Sequence, residues 1–114
     1  MSKVIERSNF VSTSLQGYLI ADYDTLVSVF GEPQYVETSG DGKVDIEWEM
    51  AFVDEDNDGD TVFPFTIYNW KDYDGGLRAR TEDNYQWHIG GTSGITSVLV
   101  ISHFEENTQL AEAV

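Results

Sequence analysis

The sequence predicts an α+β domain: an antiparallel sheet of about four strands with two helices, in the order β-α-β-β-β-α. Three stretches carry this expectation. Val44–Val53 alternates strictly, with Val44, Ile46, Trp48, Met50 and Phe52 on one side and Asp45, Glu47 and Glu49 on the other. That is the pattern of a half-buried strand. Thr61–Lys71 follows an acidic loop and alternates Phe63, Phe65 and Ile67 with Thr66, Tyr68 and Trp70, so the two runs make a hairpin. Between Asp22 and Gly31, a start signal and a stop signal bracket Thr25-Leu26-Val27-Ser28-Val29-Phe30.

The remaining elements follow in chain order. Residues 1–9 are polar and read as a loose lead-in. Phe10–Ala21 mixes Ser and Thr with β-formers and reads as a strand bent at Gly17. The short helix buries Leu26, Val29 and Phe30, and Asp22 or Asp24 serves as its cap rather than as a catalytic acid. Val36–Lys43 is a polar connection with a Gly-Asp-Gly turn. Pro64 cannot donate a ladder hydrogen bond, so it marks an edge, a bulge or a strand start. Asp72–Asp83 reads as a loop carrying Gly75-Gly76, Arg78 and Arg80, and Tyr85–Ile89 as a short strand ended by Gly90-Gly91. Thr92 or Ser93 can cap a last helix through about Asn107, with Ile95, Val98, Leu99, Ser102 and Phe104 partly at helical spacing. The β-branched run Ser97–Ser102 leaves a strand as the competing assignment there; helix is preferred. Residues 108–114 read as a loose tail.

At 114 residues the chain is one domain, and 40% hydrophobic content is a globular composition. Charge is the outlier: twenty-one acidic against six basic residues give a net −15. Such a field repels nucleic acid and anionic membranes and attracts basic protein surfaces. Direct nucleic-acid or membrane binding is therefore disfavoured, and a basic partner that itself binds nucleic acid is favoured. The plainer alternative is that the acidity serves solubility. With no cysteine, disulfides, thiolate metal sites and cysteine nucleophiles are excluded. No signal-peptide pattern and no apolar run near the roughly 20 residues of a membrane span is present, so a soluble, intracellular protein is expected.

Four segments, YDTLVSVFGEP (23–33), DIEWEMAF (45–52), FTIYNWK (65–71) and YQWHIGG (85–91), resemble in this order a group of small proteins encoded by bacteriophages. The likeness covers roughly Ser12 to Gly91, and the Trp-Lys and Trp-His-Ile-Gly-Gly pieces are its most specific parts. It implies a viral origin, a short single-domain protein and a location in the cytoplasm of an infected bacterium. It implies no catalytic residues. This chain departs from the group in its long acidic hairpin loop, Asp54–Asp60.

Candidate chemistry is sparse. Asp54-Glu55-Asp56-Asn57-Asp58-Gly59 contains D-x-D-x-D-G, the first half of a calcium loop, but the twelfth position, where a bidentate glutamate belongs, is Phe65. A weak cation site or a solvated hairpin tip are the two readings. His88 sits beside Trp87 and is expected packed or hydrogen-bonded, whereas His103 is expected at the surface. Gly90-Gly91 before a helix resembles an anion-cradling turn in acidic surroundings. No nucleophile triad, HExxH, P-loop or GxGxxG occurs, so neither an enzyme nor a cofactor is expected. Trp48 is expected in the core. Tyr68, Trp70, Tyr73 and Tyr85 are expected as partly exposed aromatics beside acids, the composition of a protein-binding hot spot.

The function expected from these features is an inhibitor that binds a host defence or nucleic-acid enzyme (a CRISPR effector, restriction enzyme or DNA glycosylase) through a DNA-mimicking acidic ridge. Carboxylates two residues apart on a strand stand roughly 6.8 Å from one another, and DNA carries a phosphate every ~3.4 Å of rise on each strand, further apart along the wound strand itself. Asp45, Glu47 and Glu49, continued by Asp54, Glu55, Asp56, Asp58 and Asp60, form the ridge. Glu47, Glu49, Asp56 and Asp58 carry most of the effect, with Trp70 or Tyr73 as apolar anchor. The alternatives are an interaction module whose acidity is incidental, homodimeric through a strand edge or an aromatic face, and a calcium-dependent structural protein built on residues 54–60. A small hydrolase would need a cleft with a perturbed carboxylate. Oligomeric state is open.

Overall fold

Alternating β-branched and aromatic runs form strands where the sequence places them, and the chain adds one more. The computed structural model describes residues 3–7, 14–54 and 61–112, with side chains over 14–52 and 63–108. The elements are β1 (Lys3–Arg7), β2 (Ser14–Ala21), α1 (Tyr23–Phe30), β3 (Glu47–Asp54), β4 (Thr61–Tyr68), α2 (Leu77–Thr81), β5 (Tyr85–Gly91) and α3 (Ile95–Glu112). Strands β3, β4, β5 and β2 lie side by side in that order as an antiparallel sheet, the α+β arrangement expected, and β1 joins β3 as a fifth strand.

Register fixes two faces. Trp48, Ile67 and Ile89 stand in one cross-strand row, and Glu47, Tyr68, His88 and Tyr18 in the next. Because strand side chains alternate, the first row faces the helices and the second faces away. The helix-covered face is the core: Leu26 and Phe30 of α1 and Val100 of α3 bury against Trp48, Phe52, Phe65 and Trp87. Phe52 and Phe65 stack at 4.8 Å, and Trp48 meets Trp87 edge to face at 5.4 Å. Both buried indoles keep a hydrogen bond, Trp48 Nε1 donating to Gly31 O at 2.8 Å and Trp87 Nε1 to Ala21 O at 3.0 Å.

Local signals explain the boundaries. Asp22 caps α1, accepting from Thr25 Oγ1 at 2.6 Å and from Thr25 N at 3.1 Å, and these bonds, the hydroxyl's foremost, hold its carboxyl below the ordinary range. In β2 the register shifts between Leu15 and Gly17, a bulge at the expected bend. The shift puts Leu15 on the same face as Tyr18 and Ile20, although three positions separate Leu15 from Tyr18. Pro64 sits where β4 has run past the end of β5, whose pairing begins at Phe65, so its missing N–H costs no ladder bond there.

Several boundaries differ from the sequence expectation. Lys3–Arg7, expected as a loose lead-in, pairs with β3 from Lys3↔Asp54 to Arg7↔Met50. The loop expected over Asp72–Asp83 contains α2, started by Asp74, whose carboxylate accepts from Gly76, Leu77 and Arg78 N–H groups. The last helix forms despite its β-branched run and continues to Glu112, past the expected tail boundary. Among its described side chains Thr96 and Val100 are buried, whereas Ile95 and Val98, which the sequence puts at helical spacing, are exposed. Apolar residues stand all around its first three turns, so spacing alone could not choose the inward side. Close approach to the sheet chooses it: a Cβ on Gly91 would lie 2.7 Å from the Thr96 side chain, and one on Gly17 2.9 Å from Ser97. Among the described residues, no helix is long and apolar enough to cross a membrane.

Gly91→Ala is therefore expected to cost about 1–3 kcal/mol, because backbone or helix must shift to admit the methyl. Gly94→Ala, where a Cβ meets nothing within 4 Å, should leave stability within about 0.5 kcal/mol of the parent. Denaturant midpoints of the two variants compare them directly.

Candidate functional site

The expected acidic row breaks at its first member. Asp45 is only 2% exposed. Its carboxylate accepts from Thr38 Oγ1 at 2.7 Å and from Asn69 Nδ2 at 2.9 Å. Asn69 follows β4 and is fully buried, and its Oδ1 accepts from the backbone of both Asp45 (2.7 Å) and Ile46 (2.9 Å). This side chain takes the place of a neighbouring strand, which is why β3 begins at Glu47 instead of Val44 and why Asp45 turns inward. Glu47 and Glu49 do share the helix-free face, both half-buried. Burial, with Glu49 as a smaller cause, pushes the Glu47 carboxyl up to about 7. Asp54 ends β3. Glu55, Asp56, Asp58 and Asp60, and with them most of the calcium-like D-x-D-x-D-G pattern, lie outside the described residues.

Next to the two glutamates the same face is aromatic. Tyr18 and His88 meet edge to face at 5.0 Å, His88 and Tyr68 lie 5.4 Å apart, and Trp70 reaches Tyr68 at 5.9 Å and His88 at 6.0 Å. Burial holds the His88 imidazole below its ordinary pKa and raises the Tyr68 phenol, Glu47 adding to the latter. The imidazole Nδ1 is buried without a hydrogen-bond partner. At the β2 side, Leu15, Tyr18 and Ile20 are each about half exposed. The helix-free face thus runs from carboxylates at β3 to exposed apolar and aromatic groups at β2.

Trp70–Asp74 forms one rim of this surface. Lys71 and Tyr73 both adopt left-handed backbone, φ 56° and 55°, which β-carbon-bearing residues seldom do. Lys71 N is fixed by Lys43 O at 2.7 Å. The ammonium groups of Lys71 and Lys43 stand 5.5 and 5.9 Å from the Trp70 ring centre. Trp70 is 37% and Tyr73 65% exposed. Beyond them, Tyr18, Trp70, His88, Asp72, Arg78 and Glu82 line a groove of about 470 Å³. Arg78 bridges Glu82 at 2.9 Å and Asp72 at 3.6 Å, while Arg80 donates to Gly75 O at 3.1 Å.

Three expectations about single residues are corrected. Tyr85 is buried, not exposed: its hydroxyl donates to the Asp72 carboxylate, and burial together with that bond raises its pKa. His103, expected at the surface, is half-buried between Phe30 and Phe52, each 5.6 Å away, because α3 turns it toward the core; burial lowers its pKa. Gly90 and Gly91 lie inside β5, and Gly91 admits the Thr96 side chain of α3, so they do not form an anion-cradling turn. Sequence reading missed Asn69 altogether. Its one signal is alternation, which puts position 69 on the inward side with Phe63, Phe65 and Ile67; a polar residue there needs buried partners. Among the described residues, no three of His, Asp and Glu are gathered so as to hold a metal ion.

Two measurements follow from this geometry. Asn69→Ala leaves two buried N–H groups and a buried carboxylate oxygen without a partner and is expected to cost about 3 kcal/mol in unfolding experiments. For Glu47, the folded state keeps the proton over a range where the unfolded chain has lost it. Its contribution is therefore fully present below about pH 4.5 and lost as pH rises through about 7. Glu47→Gln should flatten the stability–pH curve across that window. Above it, the variant should be the more stable by on the order of 1 kcal/mol, a figure reduced for the water that still reaches the carboxylate. Comparison of the chain with protein-family models, with curated proteins and with solved structures returns no match.

Proposed function

We propose that this chain is a protein-binding module whose contact surface is the helix-free face of the sheet, with a basic protein as its partner. The observation that carries this is the aromatic set Tyr18, Tyr68, Trp70 and His88, with Tyr18 and Trp70 exposed and Tyr68 and His88 half-buried, standing beside Glu47 and Glu49 on one face. Aromatic groups on a rigid sheet lose little conformational entropy on binding and are the residues that dominate interface energies. The net charge of −15 supplies attraction at a distance, raising the encounter rate with a basic surface. The likeness to phage-encoded proteins suggests a host nucleic-acid enzyme as the class of target.

Mimicry of DNA is the second reading, favoured by the net charge and by the uninterrupted acidic sequence 54–56. The strand-borne part of that ridge is weakened. Asp45 is buried in a hydrogen-bond network, and the Glu47 carboxyl, at about 7, is only partly ionised near neutral pH. Two half-buried glutamates are a short ladder for engaging phosphate-binding residues.

The two readings separate in a capture experiment from bacterial lysate, followed by affinity measurements on the retained protein. The aromatic surface predicts that Trp70→Ala weakens binding at least about tenfold, the loss of one exposed aromatic anchor. Glu47→Lys and Glu49→Lys should change mainly the on-rate and its salt dependence, by a few-fold. Displacement of the partner by DNA, a steep loss with salt and indifference to Trp70→Ala would replace this reading with mimicry.

A further inference from the structure

We infer that β2 is the seam of a symmetric dimer, in which the β2 strands of two copies pair antiparallel and join their sheets edge to edge. Among the described residues β2 has a strand partner on one side only, β5, and so ends the sheet. The two ends of that sheet differ in chemistry. β1, at the far end, carries Lys3, Glu6 and Arg7, whereas β2, SLQGYLIA, carries no charged residue and no proline. Charged residues, prolines and bulges are how exposed edges avoid pairing; β2 has no charge and no proline, and its one bulge lies between Leu15 and Gly17, which leaves Gly17–Ala21 unprotected.

Charge selects a second copy as the occupant. Paired strands stand roughly 4.8 Å apart, well inside the screening distance of physiological salt, so a chain of net −15 can meet its own copy closely only where acid is absent. A two-fold interface sets a segment against itself, and an uncharged segment meets that condition. A basic partner gains nothing from this edge that the carboxylates of β3 do not offer better.

Exposed apolar groups stand on the same strand. Of the ten large apolar or aromatic side chains exposed among the described residues, three are Leu15, Tyr18 and Ile20 of β2, each 46–54% exposed. The first turns of α3 overlie β2, since a Cβ on Gly17 would touch Ser97. Pairing of one short strand edge covers less than the roughly 800 Å² that each partner of a standard interface buries, so a reversible dimer is expected. The bulge confines regular pairing to Gly17–Ala21. A two-fold axis at Leu19 then sets Tyr18 opposite Ile20 of the second copy, an aromatic against a β-branched residue. The helix-free faces of the two copies become one surface.

Sedimentation equilibrium of the full chain, from low-micromolar to submillimolar concentration at two salt concentrations, tests this. A monomer–dimer equilibrium that tightens as salt screens the net charge is expected, the opposite of the salt response of a basic partner. Ile20→Glu should raise the dimer dissociation constant at least tenfold, and Leu15→Glu should act in the same direction. Leu77→Glu, the same charge change at an exposed residue of α2, and Trp70→Ala should leave it unchanged, which keeps the result separate from the partner-binding reading. Circular dichroism of each variant verifies folding. A monomer at every concentration, equal effects of Ile20→Glu and Leu77→Glu, or open-ended oligomers in place of a dimer would each overturn the inference.

Discussion

The entry into β3 rests on one buried amide. Asn69 donates its backbone N–H to Ile46 O at 3.3 Å, accepts from the N–H groups of Asp45 and Ile46, and donates to the Asp45 carboxylate. Four bonds from one residue tie the exit of β4 to the entry of β3. A side-chain amide can do this where a strand cannot, because the chain is turning and no continuous ladder fits. Its consequences spread in both directions. Upstream, Asp45 is drawn inward, and the exposed Thr38 is tied to it by its hydroxyl. Downstream, the chain leaves Asn69 into the left-handed Lys71 and Tyr73, which carry Trp70 and Tyr73 to the surface and Asp72 toward Tyr85.

From that junction onward the sheet is asymmetric in both of its dimensions. Across its thickness, one face is sealed by α1 and α3 through Leu26, Phe30 and Val100, and the other presents glutamates and aromatic rings. Along its width, the β1 end carries charged residues and the β2 end is uncharged and apolar. Each asymmetry has its own physical consequence. The difference between faces separates folding from recognition, since the hydrophobic effect is spent on one side and the rings on the other stay available. The difference between edges separates the end that resists pairing from the end that invites it.

Net charge and local charge act separately. A total of −15 acts over the distance of a Debye length, wherever the individual carboxylates stand. Contact chemistry depends on the few groups that reach the surface in one arrangement. Asp45 adds to the total and is unavailable for contact. Glu47 shares its face with Glu49 and gives up part of its charge near neutral pH because burial and a like neighbour both favour the neutral form.

The sequence by itself determined the α+β class, the β3–β4 hairpin, the capped α1 and the bend at Gly17, because alternation, caps and glycine act over a few residues. Its composition likewise determined the net charge. Only the tertiary structure decided which carboxylates face solvent, which side of α3 is inward, and that Tyr85 and His103 are covered. Those outcomes depend on partners far along the chain: Asn69 lies 24 residues from Asp45, and the Thr96 side chain packs on a glycine of another element. Local periodicity carries no information about such partners, so a residue that alternates outward in sequence, as Asp45 does, can still be pulled inward by a long-range hydrogen bond.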